Sequence, residues 1–256
     1  MEMKKVAIIP SAGKNSRMDI SNIPKTLRII NNKTILDNLI ETLSKYVDIC
    51  YVVISYEDYK SKLFIKHILP KNLKKIQFAI TQSGTGDGQA VLDCLKHLKK
   101  KNKLHEHILI CWSDVYIYNN HILDFCFLKI KQFPNSLIFL PTKFEEKPYV
   151  GFFRNKKKEI ENFLFSKRGH DISNMEQDHC IFLIKPIEIL KELKLFKKHY
   201  KPKELVFLDI INWIYKKNYL ITGLEYKNKK NKLDPVLSFN TEQELNNIIK
   251  IINENH

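Results

Sequence analysis

Short apolar runs rich in β-branched residues alternate, along the first half of the chain, with segments whose apolar residues recur every three or four positions. The short runs predict buried strands, and the longer periodic segments predict amphipathic helices. The predicted strands are residues 5–10, 49–55, 76–81, 107–111 and 136–140. The predicted helices are residues 34–43, 56–69, 89–99 and 122–130. Strand–helix repetition of this kind predicts a Rossmann-like α/β fold, with a mostly parallel twisted sheet and helices on both faces.

The pattern changes after Pro141, where residues 149–154, 159–164 and 180–184 are predicted strands with little helix between them. We therefore expect one domain over residues 1–256, with a small inserted β-rich lobe over residues 142–202. The remaining predicted elements are helices at 187–193 and 203–217, strands at 219–225 and 236–239, and a helix after Thr241. The hydroxyl of Thr241 and the carboxylate of Glu244 fit a capping box at the start of that helix.

Composition narrows the class of protein. The chain has 256 residues and a net charge of +15, but lysines spread along the whole chain carry most of this excess. Aromatic residues do not alternate with the lysines, so we do not expect a nucleic-acid partner. The five cysteines show no disulfide or zinc spacing. No apolar run approaches the ~20 residues that cross a bilayer, and we expect a soluble cytoplasmic protein without a membrane partner.

The loop after the first predicted strand reads PSAGKNSRM over residues 10–18, and Pro24 and Lys25 follow. Open α/β sheets bind ligands at this end of their strands. Small residues let backbone N–H groups approach a triphosphate, while Lys14, Arg17 and Lys25 can neutralise its charge. The spacing is not that of a P-loop.

This loop resembles the signature of the sugar-phosphate nucleotidyltransferase superfamily, Ala-Gly-x-Gly-Thr/Ser-Arg-Met followed by Pro-Lys, with Asn15 at the second glycine. The resemblance implies a GT-A-like fold and a catalytic role for Arg17 and Lys25. It also implies that the loop binds the nucleotide through Ser11, Ala12, Gly13, Lys14, Arg17 and Lys25.

A second segment, QSGTGDGQA over residues 82–90, is similar to the superfamily's base-binding Gln-x-Gly-Thr-Gly. The similarity implies that Gln82, Gly84 and Thr85 hold the nucleobase. The extra residues 87–89 lead us to expect a longer loop than usual. A dinucleotide-binding fingerprint is the competing interpretation, but Gln89 stands where its third glycine should be.

Two more segments complete the resemblance. Asp114 follows the apolar run ILIC at the end of a predicted strand, and Asn240 lies in the closing segment. In the superfamily these positions bind Mg²⁺, so Asp114 is expected to be catalytic and both residues to be metal ligands; oxygen ligands suit this ion. Within the inserted lobe, the resemblance implies substrate contacts from Gly151, Glu161 and Asp178.

The motif order is most similar to that of the N-acetylglucosamine-1-phosphate uridylyltransferases. It implies Mg²⁺-dependent transfer of a nucleotide from an NTP, UTP or CTP being favoured, to a sugar-1-phosphate or similar phosphorylated acceptor. Pyrophosphate would be released, and nucleotide-sugar biosynthesis would be the setting. Two alternatives stay open: a cytidylyltransferase acting on an alcohol phosphate such as methylerythritol, ribitol or choline phosphate, and a non-catalytic relative that binds nucleotides or polyanions.

Overall fold

A computed structural model describes residues 5–13, 23–104, 106–227 and 234–254. Within these residues the strands are β1 Val6–Pro10, β2 Ile29–Ile30, β3 Lys33–Thr34, β4 Ile49–Ser55, β5 Ile76–Thr81, β6 Ile108–Cys111, β7 Val115–Ile117, β8 Ile138–Glu145, β9 Val150–Arg154, β10 Ile160–Phe165, β11 Met175–Asp178, β12 Ile181–Ile184, β13 Ile221–Glu225 and β14 Val236–Ser238. The α-helices are α1 Ile35–Leu43, α2 Tyr56–Ser61, α3 Leu63–His67, α4 Pro70–Leu73, α5 Asp87–Lys100, α6 His121–Lys129, α7 Pro186–Tyr200, α8 Ile210–Tyr215 and α9 Glu242–Glu254.

The central sheet has a parallel half and a largely antiparallel half. In the parallel half the strand order is β5-β4-β1-β6, with β1 paired to both β4 and β6 in parallel. The carboxyl ends of these strands therefore meet at one edge. The order continues through β12, β8, β11, β9 and β10, all paired antiparallel, while β13 adds to β8 in parallel. The predicted α/β class is confirmed.

Helices cover both faces of the sheet. Alternate residues of the buried strands point to opposite sides and pack in two separate cores. Along β1, Val6 and Ile8 belong to a core that includes residues of α5, α7 and α8, whereas Ala7 and Ile9 belong to a core formed with α1, α3 and α6. A smaller cluster packs α9 against the start of α1 around the buried Phe239. Helices on both faces agree with the prediction.

The region predicted as an inserted lobe, residues 142–202, extends the same sheet. Strands β9, β10 and β11 form its outer antiparallel part. Strand β12, in contrast, lies between β6 and β8, and α7 packs against α5. The substrate-binding role of this region stays a prediction.

Several helix boundaries differ from the prediction. The single helix expected at 56–69 is divided, because Lys62 adopts a left-handed conformation with φ 57°. The helix expected at 203–217 is shortened to the 3₁₀ turn Phe207–Asp209 and α8. The prediction of a longer loop at residues 87–89 is wrong, since these residues form the first turn of α5. Strands β2, β3, β7 and β11 were not predicted.

The start of α9 confirms the predicted capping box. The Glu244 amide donates to the hydroxyl of Thr241 at 3.2 Å, and the Thr241 amide donates to the Glu244 carboxylate at 3.1 Å. Among the described residues, no helix combines the length and the apolar character that a bilayer crossing needs.

Candidate functional site

A cavity of about 920 Å³ opens at the carboxyl ends of the parallel strands. Its walls come from the loops after β1, β5 and β6, from the outer antiparallel strands, and from the segment that precedes α9. Of the predicted site residues, the following line it: Ser11, Ala12, Gly13, Lys25, Gln82, Gly84, Thr85, Asp114, Asp178 and Asn240. Residues from five distant parts of the sequence therefore share one cleft, as ligand sites in open α/β sheets do.

The loop after β1 enters the cavity with its backbone held in place. The amide of Ser11 donates to the carbonyl of Val53 on the neighbouring strand at 2.7 Å, and Ser11 is buried. A Cβ added to Gly13 would meet no described atom within 4 Å. The predicted nucleotide-binding residues Lys14 and Arg17 lie outside the described residues.

The centre of the site is formed by Lys25, Asp114 and Asn240. The Nζ of Lys25 lies 3.9 Å from Oδ2 of Asp114 and donates to Oδ1 of Asn240 at 3.5 Å. The side chain of Lys25 is 18% exposed and that of Asp114 is 36% exposed. A carboxylate and an amide oxygen thus converge on one cation, in a position that solvent and ligands can reach.

A two-stranded ribbon brings Asn240 to Asp114 across 126 positions of sequence. Strand β7 begins immediately after Asp114, and β14 pairs with it antiparallel, Ser238 opposite Val115. The amide of Phe239 then donates to the carbonyl of Asp114 at 3.3 Å. The Phe239 ring also lies under the Lys25 ammonium, 5.9 Å from Nζ to the centroid.

The loop after β5 is a tight turn built by glycines. Gly84 and Gly86 have φ values of 68° and 97°, a region that favours glycine. The hydroxyl of Thr85 donates to the carbonyl of Gln82 at 2.7 Å, which closes the turn. The predicted base-binding residues are therefore presented on a short, well-defined loop.

Comparisons with known proteins agree with this architecture. Over 248 residues, 96% of this chain and 50% of the relative, the chain is 25% identical to the bifunctional protein GlmU of Buchnera aphidicola. It is 29% identical over 119 residues to GlmU of Francisella tularensis subsp. novicida, covering 46% of this chain and 23% of the relative. The chain thus spans about half the length, or less, of the curated relatives it matches. No protein-family model matches it.

Two solved structures share the fold. HddC from Yersinia pseudotuberculosis superposes with a TM-score of 0.67 at 14% identity, covering 98% of this chain and all of that one. The CTP:phosphocholine cytidylyltransferase LicC from Streptococcus pneumoniae superposes with a TM-score of 0.69 at 13% identity and the same coverage. The predicted resemblance to the sugar-phosphate nucleotidyltransferase superfamily is confirmed. The mixed sheet described above is the fold of these two proteins.

Another part of the cavity wall carries the residues for which the superfamily resemblance predicts acceptor contacts, and we call it the predicted acceptor end. Asp178 is there, buried, and its Oδ1 accepts the backbone N–H of Cys180 at 2.6 Å. Burial raises the pKa of Asp178 above its ordinary value. Gly151 and Glu161, in contrast, are not among the described lining residues. A Cβ on Gly151 would lie 2.7 Å from the sulfur of Met175, so this glycine permits close packing of neighbouring strands.

Three side chains that were not among the predicted site residues line this predicted acceptor end. They are Tyr149, Phe165 and Gln177. The amide of Tyr149 donates to Oε1 of Gln177 at 2.9 Å, and the rings of Tyr149 and Phe165 meet edge to face with centroids 6.1 Å apart. Phe165 lies at the end of the same strand as Glu161, and no feature of the sequence distinguished it from a core phenylalanine.

A second missed feature is segment 204–208, which follows α7, enters the 3₁₀ turn Phe207–Asp209 and forms one wall of the cavity. Glu204, Val206 and Leu208 line the cavity, and the four residues 205–208 are all buried in the core. The segment was predicted as part of a helix over 203–217, of which only the 3₁₀ turn and α8 form. Within 203–217 only the last part is helical.

Proposed function

We propose that the chain transfers a nucleoside monophosphate from UTP or CTP to a sugar-1-phosphate or similar phosphorylated acceptor, with release of pyrophosphate. The observation that carries the proposal is the convergence of Lys25, Asp114 and Asn240 on one edge of the cavity. Loops with base-binding and phosphate-binding character flank this centre on the same side of the sheet. A non-catalytic relative would have no need to keep a lysine, a carboxylate and an amide in contact.

The chemistry asks for alignment and charge compensation more than for proton transfer. The acceptor phosphate is anionic at neutral pH and can attack the α-phosphorus of the NTP directly, with pyrophosphate leaving in line. Lys25 would reduce the repulsion between the two phosphate groups as negative charge accumulates in the transition state. The backbone N–H groups of residues 11–13 would hold the triphosphate in place, so that its α-phosphorus is aligned with the attacking phosphate oxygen.

The side-chain oxygens of Asp114 and Asn240 are suitable ligands for magnesium. No group of three or more His, Cys, Asp or Glu side chains that could hold a metal occurs among the described residues. Magnesium does not need one, because it is commonly bound by one or two protein oxygens, several waters and substrate phosphates. The Lys25 ammonium already lies where the oxygens of Asp114 and Asn240 converge, so this position favours a cation. Asp114 and Asn240 would hold Mg²⁺, which when bound supplies positive charge to the phosphate oxygens.

The donor base is proposed to be a pyrimidine, read by Gln82 with Gly84 and Thr85. A short glycine turn leaves room for a ring, and an amide can hydrogen-bond to a base edge. HddC has been solved with the guanine nucleotide analogue GMP-PN, so purine nucleotides are the necessary comparison.

A cytidylyltransferase acting on an alcohol phosphate is the second candidate, and a specific observation favours it. Tyr149 and Trp112 contribute aromatic rings to the cavity wall, and aromatic faces bind quaternary ammonium groups. LicC, which shares the fold, acts on phosphocholine. The sugar-phosphate proposal retains priority because the curated sequence relatives are GlmU proteins.

One experiment tests the reaction and both acceptor classes. The purified chain is incubated with Mg²⁺ and each of UTP, CTP, dTTP, ATP and GTP, against a panel of sugar-1-phosphates and alcohol phosphates, and pyrophosphate release is measured. Acceptor-dependent release with UTP or CTP and a sugar-1-phosphate is expected. Release only with CTP and choline phosphate would select the second candidate. Nucleotide binding without release for any pair would show a non-catalytic relative. The Asp114→Asn variant, which keeps the shape of the side chain, supplies the background rate.

A further inference from the structure

Segment 204–208 is fixed by hydrogen bonds to the nucleotide loop and to the first residue of α5. The amide of Leu205 donates to the carbonyl of Thr85 at 2.8 Å, and the amide of Phe207 donates to Oδ1 of Asp87 at 2.7 Å. A Cβ on Gly86 would lie 2.2 Å from the carbonyl oxygen of Leu205, so that glycine is required for the approach. The wall that carries Val206 and Leu208 is therefore anchored to the base-binding turn.

The other end of the same wall is fixed by an arginine. Arg168 forms a two-pronged ion pair with Asp209, immediately after the segment, with Nη1–Oδ1 at 2.8 Å and Nη2–Oδ2 at 3.0 Å. Asp209 is only 17% exposed in its side chain. Two parallel hydrogen bonds between guanidinium and carboxylate fix direction as well as distance.

Arg168 also packs against the opposite wall. It lies in the 3₁₀ turn Ser166–Arg168 that follows β10, and its guanidinium carbon is 4.8 Å from the centroid of the Phe165 ring. Phe165 and Ser166 both line the cavity. One side chain thus joins the end of β10 to the end of segment 204–208.

Arginine is well suited to this task. It is the less common basic residue in this lysine-rich chain, and lysine could neither form the fork nor stack as a plane on an aromatic ring. A lone surface ion pair contributes little to stability, so stability by itself gives no reason for an arginine with both contacts.

We propose that Arg168, paired with Asp209, is a positioning residue for the acceptor: it fixes the spacing between the wall of Val206 and Leu208 and the wall of Tyr149 and Phe165. This inference rests on the proposed transferase function. The nucleotide end of the wall has hydrogen bonds that do not involve the pair, from the Leu205 amide to Thr85 and from the Phe207 amide to Asp87. Loosening the pair therefore misplaces the acceptor phosphate relative to the NTP without weakening the binding of the NTP.

The test is steady-state kinetics of Arg168→Ala and Arg168→Lys with the best donor and acceptor from the screen. We expect the acceptor kcat/KM to fall about 10- to 100-fold in both variants, since small misplacements of reacting groups have effects of this size. The dissociation constant of the nucleotide, measured by titration calorimetry, should change by less than about twofold, because the proposed nucleotide contacts do not include Arg168. The Lys variant keeps the charge and should recover little.

The matched control is Lys33→Ala. Lys33 forms an ion pair of similar exposure with Glu41 at 2.8 Å, and it is not among the described residues that line the cavity. This variant should keep the acceptor kcat/KM of the wild type. The double variant Arg168→Ala/Asp209→Ala should be no worse than Arg168→Ala, because partners that act as a unit are not additive.

Distinct results overturn the inference and the function. A wild-type chain without pyrophosphate release overturns both. An active wild type, with Arg168 variants that melt earlier but keep the acceptor kcat/KM, reduces the pair to a structural contact. Equal losses for donor binding and acceptor turnover would show that the pair supports the whole cavity and would also overturn the inference. If Arg168→Ala does not fold, Asp209→Asn preserves shape, removes the charge and answers the same question.

Discussion

Replacing Asn240 with alanine separates a role in the reaction from a role in the fold. The structure gives the two roles to different side chains: Asn240 accepts a hydrogen bond from Lys25, whereas Thr241 caps α9. If Asn240 holds Mg²⁺ together with Asp114, its loss removes one oxygen ligand that water can replace. Asn240→Ala should therefore need about tenfold more Mg²⁺ to reach half of its maximal rate, which corresponds to ~1.4 kcal/mol of binding free energy.

The neighbouring substitution Thr241→Ala provides the contrast. It removes the hydroxyl that accepts the Glu244 amide at 3.2 Å. Loss of such a cap costs about 1 kcal/mol of unfolding free energy. In a domain of this size that cost lowers Tm by roughly 2–4 °C. The Mg²⁺ dependence of Thr241→Ala should match that of the wild type, and the Tm of Asn240→Ala should be unchanged.

The assay is a Mg²⁺ titration of pyrophosphate release beside a melting curve, for the wild type and both variants. We expect Asn240→Ala to shift only the Mg²⁺ dependence of the rate and Thr241→Ala to shift only the melting temperature. An Asn240→Ala variant that melts several degrees earlier with an unmoved Mg²⁺ midpoint would refute the assignment of Asn240 as a metal ligand. Asn240→Asp, which keeps the oxygen, should stay close to the wild type.

The remaining predictions use the same assays. Asp114→Ala should fold normally, as a circular dichroism melt would show, and should lose more than ~90% of kcat at saturating Mg²⁺, or more than about 1.4 kcal/mol of transition-state stabilisation. Lys25→Ala should lose kcat by a larger factor than it raises the KM for the nucleotide, because its charge acts on the reacting phosphates; a pure KM effect would contradict this role. In titration calorimetry UTP should bind more tightly than CTP, and both more tightly than GTP or ATP, if Gln82 reads a pyrimidine; tenfold tighter binding of a purine (~1.4 kcal/mol) would contradict it. Gly86→Ala should destabilise the protein by more than about 1 kcal/mol, because its φ is 97° and a Cβ would lie 2.2 Å from the Leu205 carbonyl oxygen; an unchanged urea midpoint would contradict it.

Local sequence patterns were sufficient to predict the elements that are determined by residues a few positions apart. Strands β4 and β5 occupy the residues that apolar, β-branched runs predicted, and the Thr241 capping box forms as its spacing indicated. Such signals work because a buried strand or a capped helix end is specified by residues a few positions apart. The same holds for the position of Asp114 at the end of a buried strand.

Long-range contacts decided what those elements do together. Strand β7 has three residues, too few to carry a periodic signal, and it was not predicted. Strand β14 was predicted, but only its pairing with β7 brings Asn240 beside Asp114. The start of α5 was misjudged because Gly86 and Gly88 serve the close approach of segment 204–208, a contact across more than a hundred positions.

The predicted acceptor end of the cavity shows most clearly which site residues could not be predicted from the sequence. Sequence resemblance predicted a contact from Glu161, whereas the structure lines the cavity with Phe165, at the end of the same strand. A register shift between Ile160 and Asn162 opposite β9 separates the early residues of β10 from its end. Since side chains alternate between the faces of a sheet, one shifted residue changes which side chains face the cavity, and only the pairing with a neighbouring strand fixes that choice.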